Sequence, residues 1–378
     1  MTSQTRVLIV DDSFVFRRLL KETLGRHKGI LVVGTAANGR EAVTQIPTLR
    51  PDLLILDVEM PEMDGLATLD EIRARRLDVG AIMFSTLTLK GADTTLDALA
   101  KGAFDFVPKP ANTGAFAESV ARIERELIPK IEAYGAMRNS GPRPSVLRVP
   151  AGPRPAAPLM PSPRPCLRPV HPSGARPSLR PTFPPEAVGI GVSTGGPNAL
   201  NSVIPKFPAG FPLPIFLVQH MPPVFTAQLA RRLDEKSALR VVEATDGMAI
   251  EGGTVYVAPG DYHMVAALDG TRRVIRLTQS PPVNSCRPAV DVLYESLAQV
   301  YGGRVVAAIL TGMGQDGLAG CRTLKSKGAS VIAQDKESCV VWGMPRFVTE
   351  AGIADRVVSL ECITDSILDA VRAGGRWR

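Results

Sequence analysis

Residues Gly189–Leu200 read GIGVSTGGPNAL, and their glycines admit two incompatible structures: a loop that cradles the phosphates of a nucleotide, or a sharp strand-to-helix turn that presents Ser193. A dinucleotide loop needs the spacing G-x-G-x-x-G. Here the third glycine falls one residue late, at Gly195, with Thr194 where glycine should stand, and no P-loop lysine follows. Gly191-Val192-Ser193-Thr194-Gly195 instead fits G-x-S-x-G, with Pro197 suited to the first turn of a helix. The apolar run AVGIGV ahead of it is then a buried strand, and the segment opens an α/β domain. Alone the motif is weak, because serines beside glycines are common in ordinary turns.

Outward from this turn, PIFLVQ (214–219), RVVAAIL (304–310) and ASVIA (329–333) are further buried-strand runs separated by glycine-rich turns, and TVYVAPGDYHMVAA (254–267) reads as a hairpin turning at Pro-Gly-Asp. A serine nucleophile needs a base, and residues 186–378 hold only two histidines, His220 and His263. His220 ends PIFLVQ, at the sheet edge where Ser193 also lies and where ligand sites of parallel sheets collect. His263 falls in the expected hairpin, and a lone histidine is more often structural than catalytic. The third member is a carboxylate that holds the imidazole's orientation. Asp316 supplies it in TGMGQDG, directly after RVVAAIL, where Gly312, Gly314 and Gly317 let backbone approach closely. The chain order is then Ser, His, Asp; an alternative pairing of Asp246 or Asp261 with His263 restores the order Ser, acid, His. The backbone N–H groups of Thr194 and Met313, both in glycine-flanked turns, are candidates for an oxyanion hole. This chemistry requires neither metal nor cofactor.

The first third of the chain has a different logic. RVLIV (6–10), ILVVG (30–34), LLILD (53–57), AIMFS (81–85) and FDFV (104–107) alternate with helix-length segments, the rhythm of βαβ units around a parallel sheet. Asp11 and Asp12, Asp57, Ser85 and Lys109 all stand where these runs end. Single aspartates there commonly cap helices. Three carboxylates in one crevice repel each other, and a hard divalent cation with oxygen ligands, most naturally Mg²⁺, relieves that repulsion. Such a site suits phosphoryl transfer to a carboxylate, with Asp57 as acceptor.

VDDS (10–13), LDVEMPEMDG (56–65) and VPKP (107–110) resemble the receiver domain of two-component response regulators. The resemblance implies Asp11 and Asp12 for Mg²⁺ together with Asp57, Asp57 for phosphorylation, Ser85 as the switch hydroxyl, Phe106 as the rotating aromatic and Lys109 as the phosphate partner. Thr86 adjoins Ser85 and shares its chemistry. Farther on, VSTGGP, QHMP, APGDYH, RPAVD, TGMGQDG and VWGMPR, arranged behind a receiver, resemble the chemotaxis protein-glutamate methylesterase family. That resemblance implies hydrolysis of glutamate methyl esters on methyl-accepting chemoreceptors, deamidation of particular glutamines, a chemotaxis histidine kinase as phosphodonor, and Ser193, His220 and Asp316 as triad. Cys286 stands before Arg287-Pro288, where the family more often carries another polar residue.

Between the two regions, Gly141–Pro185 carries 15 prolines and 7 arginines with no Asp, Glu or Lys, and Phe183 is its only aromatic residue. It cannot build a core and reads as a semi-rigid spacer, at most roughly 140 Å long when extended. The expected organisation is a receiver at 1–136, a Pro/Arg-rich linker at 137–185 and a catalytic domain at 186–378. The fold class is α/β throughout: a flavodoxin-like five-stranded parallel sheet, then a doubly wound, mainly parallel domain with a β-hairpin. The linker's arginines account for the whole net charge of +7, so the basic balance gives no footprint for nucleic acid. A receiver attached to a DNA reader is the competing class, but 186–378 shows neither a compact helix-turn-helix nor a basic recognition helix. Five scattered cysteines with no C-x-x-C pair suggest reduced thiols rather than a disulfide framework or zinc site. The apolar run near the N-terminus is too short for a signal-peptide core or a membrane span, so no direct membrane insertion and a cytoplasmic location are expected.

Overall fold

A computed structural model describes residues 4–110, 116–139 and 183–375; the expected linker lies outside the described residues except at its two ends. The chain divides into two compact units, Met1–Leu147 and Arg148–Arg378.

In the first unit the order is β1 (Thr5–Val10), α1 (Phe14–Leu24), β2 (Ile30–Ala36), α2 (Gly39–Leu49), β3 (Leu53–Asp57), α3 (Gly65–Ala74), β4 (Gly80–Ser85), α4 (Leu89–Ala100), β5 (Asp105–Pro108), α5 (Phe116–Glu126) and α6 (Ile128–Asn139). All five strands are parallel in the order β2-β1-β3-β4-β5, the flavodoxin-like arrangement. Helices cover both faces, which is why β3 can read LLILD with every residue buried rather than alternating. Asn38, Asp64 and Thr88 cap α2, α3 and α4 by accepting from N–H groups three residues on, each worth about 1 kcal/mol.

The second unit runs β6 (Ala187–Val192), α7 (Gly196–Val203), β7 (Ile215–Gln219), α8 (Phe225–Asp234), β8 (Arg240–Glu243), β9 (Thr254–Val257), β10 (His263–Asp269), β11 (Arg272–Thr278), α9 (Val290–Val300), β12 (Val305–Ile309), α10 (Leu318–Ser326), β13 (Ser330–Gln334), α11 (Met344–Glu350), β14 (Arg356–Val358) and α12 (Ile363–Ala373). Seven strands form one parallel sheet in the order β14-β13-β12-β6-β7-β9-β8. The hairpin sits one strand later than the sequence suggested. TVYV is β9, buried at all four positions between β7 and β8, so it belongs to the large sheet. The turn at Pro259–Asp261 carries the chain out of that sheet, and β10 pairs antiparallel with β11 through the two-residue loop Gly270-Thr271, where Gly270 has φ +60°.

The glycines of GIGV are explained by packing. Helix α9 lies so close to β6 that a Cβ on Gly189 would meet Tyr294 Cε1 at 2.7 Å, and one on Gly191 would meet Val290 Cγ1 at 2.6 Å. They make room for a helix rather than for phosphate. Val290, Leu293, Tyr294 and Leu297 are fully buried on that face, each worth about 1.5–3 kcal/mol of apolar burial. Cys286, Cys321 and Cys339 are free thiols. Among the described residues no helix is long and apolar enough to cross a membrane.

Candidate functional site

Strands β12, β6 and β7 are neighbours at the centre of the large sheet. Val192 pairs with Gln219, so the next residues, Ser193 and His220, leave the sheet side by side. His220 N donates to Val192 O at 3.2 Å, and Ser193 N donates to Thr311 O, just beyond β12, at 3.0 Å. Gly195, with φ +77°, then turns the chain into α7, and Pro197 occupies its first turn, the strand-turn-helix context that G-x-S-x-G needs. Gly312 presses against this turn: a Cβ there would lie 2.8 Å from Ser193 Cβ and 2.5 Å from Met344 Sδ. Thr311 Oγ1 donates to Thr194 O and accepts from Val341 N, each at 3.0 Å, which ties three turns together. Among the described residues the N–H groups of Thr194 and Met313 have no acceptor.

His220 and Asp316 meet. His220 Nε2 lies 2.7 Å from Asp316 Oδ2, and the carboxylate is only 2% exposed. Val290 N donates to Oδ2 at 2.6 Å; Asp291 N, Asn284 Nδ2 and Gly317 N donate to Oδ1 at 3.1, 3.0 and 3.0 Å. Two of these donors are the unpaired N–H groups at the start of α9, where partial positive charge favours an anion. Burial opposes ionisation of Asp316, but His220 and these backbone donors outweigh it and hold the carboxyl below its ordinary range. Burial likewise disfavours the His220 imidazolium. The Cys286 sulfur and the Asp316 carboxylate outweigh that and push its pKa up to about 10. Nδ1 faces Cys286 Sγ at 3.6 Å. Ser193 Oγ makes no hydrogen bond among the described residues, so the structure joins His220 to Asp316 and leaves Ser193 adjacent to them, on the neighbouring strand end.

The alternative pairing fails on geometry. His263 is fully buried, with Nε2 donating to Pro281 O at 3.2 Å and Nδ1 accepting from Ala289 N at 3.2 Å, so both nitrogens are spent on backbone. Burial lowers its pKa. Asp246 accepts from Leu277 N, and Asp261 pairs with Arg287 at 2.6 Å; neither is bonded to His263.

Sequence reasoning gave no role to Asn284, Asp291 or Gln219. Asn284 bridges Asp316 and Asp291, Asp291 accepts from Gly320 N at 2.7 Å, and Gln219 Nε2 donates to Ser193 O at 3.0 Å. The signal at Asn284 was faint: a left-handed Asn-Ser turn without a glycine, φ +51° and +62°.

In the first unit Lys109 Nζ lies 2.8 Å from Asp11 Oδ2 and 2.7 Å from Asp57 Oδ2, all three side chains being buried. Asp12 is exposed beside them, and one oxygen from each of Asp11, Asp12 and Asp57 fits within 4.8 Å. Burial, then the Asp11 charge, pushes Asp57 up to about 6, and burial raises Asp11 as well. Lys109 is raised despite its burial, because both carboxylates favour the ammonium. Three oxygen donors, one open to solvent and two uncomfortable as anions, fit a hard divalent cation. Ser85 is fully buried at the end of β4, its Oγ 3.3 Å from Gly91 O, while neighbouring Thr86 is exposed. Phe106 is buried in β5 with Lys130 Nζ 5.5 Å from its ring.

The two units thus define a class: a response regulator whose receiver precedes a parallel α/β enzyme domain. Residues 7–121 match the response regulator receiver domain and residues 188–367 match CheB methylesterase. A protein-glutamate methylesterase/protein-glutamine glutaminase of Trichodesmium erythraeum is 44% identical over 96% of this chain and 98% of its own length, and one of a Nocardioides species is 46% identical over 94% and 92%. The crystal structure of the Thermotoga maritima CheB methylesterase catalytic domain is 46% identical and covers 49% of this chain and 98% of its own, with TM-score 0.48. The chain belongs to the protein-glutamate methylesterase/protein-glutamine glutaminase family.

Proposed function

We propose that this protein is a serine esterase, switched on by phosphorylation of Asp57, that hydrolyses γ-methyl esters of glutamates on chemoreceptors in the cytoplasm and deamidates glutamines at such positions. The observation that carries this reading is the convergence of Ser193, His220 and Asp316 on three adjacent central strand ends, with Nε2 and Oδ2 at 2.7 Å.

Asp316 occupies Nε2, so Nδ1 takes the Ser193 proton as Oγ attacks the γ-carbonyl carbon. The Thr194 and Met313 N–H groups, both without acceptors among the described residues, are available to the oxyanion. Collapse expels methanol, which leaves with the proton from Nδ1. Water then attacks the glutamyl-serine ester by the same route, releasing the glutamate carboxylate and restoring Ser193. A γ-amide passes through the same acyl-enzyme with ammonia as leaving group.

In the receiver, Asp57 accepts phosphate from a histidine kinase or a small phosphodonor. Asp11, Asp12 and Asp57 would hold Mg²⁺, which supplies charge neutralisation to the transferring oxygens. Lys109 releases one of its two carboxylates to meet the incoming phosphate, and Ser85 and Phe106 respond to it. The domain organisation at 1–136, 137–185 and 186–378 keeps switch and esterase in separate bodies on one chain. The test is methanol release from a methylated chemoreceptor cytoplasmic fragment, with and without a small phosphodonor, against Ser193→Ala. Serine-dependent release raised by the phosphodonor supports the reading; release that persists in Ser193→Ala overturns it.

A further inference from the structure

The side chain that faces His220 on its free edge is a thiol. His220 commits Nε2 to Asp316 at 2.7 Å, which leaves Nδ1 as the ring nitrogen free of the carboxylate, and the side chain standing at Nδ1 is Cys286, with Sγ 3.6 Å away. A tight turn puts it there. Val283 and Cys286 exchange both backbone hydrogen bonds, at 3.1 and 2.9 Å, around Asn284 and Ser285, whose φ angles are +51° and +62°. The Asn284 side chain pins that turn to Asp316 Oδ1 at 3.0 Å and to Asp291 Oδ2 at 2.9 Å. One turn therefore both fills the second oxygen of the acid and aims a thiol at the imidazole. Thiol, base and orienting carboxylate stand in an unbroken hydrogen-bonded line, the arrangement that activates a covalent nucleophile. The other two free thiols lack it: Cys321 and Cys339 are buried and their ionisation is pushed far up by burial, whereas Cys286 is partly open to solvent.

We propose that Cys286 is a second nucleophile of this site, served by His220 and Asp316, and that it takes small soft carbon electrophiles, alkyl halides and α,β-unsaturated carbonyl compounds. With an alkyl halide the thiol proton passes to His220 Nδ1, sulfur forms a bond to carbon, and halide departs with its electron pair; the imidazolium then returns its proton to water. The thioether left at Nδ1 denies that nitrogen to Ser193, so labelling silences the esterase. This last consequence rests on the serine reading above; the reactivity of Cys286 does not.

The test treats the full chain with iodoacetamide at neutral pH and follows each cysteine by peptide mass spectrometry. Cys286 should be alkylated about 10-fold faster than free cysteine under the same conditions, within the roughly 30-fold that full ionisation of a thiol of ordinary pKa near 8.5 allows at pH 7, while Cys321 and Cys339 stay unlabelled. In His220→Asn the Cys286 rate should fall to that of the free amino acid. A Cys286 rate in the unaltered chain no greater than that of free cysteine overturns the proposal, whether or not the variant folds. So does an unchanged rate in folded His220→Asn. Methanol release measured on the same samples should fall in step with Cys286 labelling; full release from fully labelled protein overturns the shared base. Absence of release before any labelling counts against the esterase reading alone, since the labelling rates are read without it.

Discussion

His220 and Asp316, 96 positions apart in the chain, meet at 2.7 Å, and the carboxylate that holds the ring is itself held by N–H groups of Val290, Asp291 and Gly317 and by the Asn284 amide. The acid is as much a structural hub as an orienting group. Asp316→Ala should therefore lower stability by about 3–5 kcal/mol, because it strands a buried imidazolium and several buried donors at once. Urea unfolding measures this; a loss below about 1 kcal/mol would mean that the donors find other partners.

Gly312 tests the position of Ser193 without substituting any member of the proposed triad. A methyl group at this position has to displace either Ser193 or Met344. Gly312→Ala should cut methanol release about 100-fold, the scale of a misplacement near 1 Å, while phosphate uptake at Asp57 proceeds as before. Equal activity in both proteins would show that the Ser193 turn tolerates the shift.

The pH response follows from the histidine. Its folded pKa, about 10, lies above the ordinary 6.5. The stability contributed by the charged pair is thus fully present below about 6.5 and is lost as pH rises through about 10. The base form gains in the same direction. The expected outcome is kcat/KM that climbs with pH across this window while the melting temperature falls, and Cys286→Ala, by removing a neighbour that favours the imidazolium, should move the rise in kcat/KM to lower pH. A rate profile that is flat from pH 7 to 9.5 would contradict it.

At the receiver, Asp57→Asn should abolish phosphate uptake from a small phosphodonor, and chelation of divalent cations should do the same to the unaltered chain. Radiolabelled phosphodonor reads both. Uptake that survives the chelator would remove the cation from the role given to Asp11, Asp12 and Asp57.

Much of this was legible in the sequence, for physical reasons. Buried parallel strands must be apolar on both faces, so RVLIV, LLILD and PIFLVQ announce themselves, and functional residues gather at such carboxyl ends, where the candidates Asp57, His220 and Lys109 stand. Two features were not readable. TVYV looked like half of a hairpin because alternation and a Pro-Gly-Asp turn say nothing about which sheet a strand joins. Cys286 and Asn284 lie more than 60 and 30 positions from His220 and Asp316, respectively, so their contacts exist only after the chain has folded.

The three strands that carry Ser193, His220 and Asp316 sit in the middle of the seven-stranded sheet, with β14 and β8 at its margins. Local opening of a sheet begins where fewest neighbours hold a strand. Fraying at either margin leaves β12, β6 and β7 paired on both sides, so the backbone amides of Val188–Val192 should exchange with solvent only when the whole domain unfolds. The proposed nucleophile, Ser193, is thereby mounted on the segment that is last to let go.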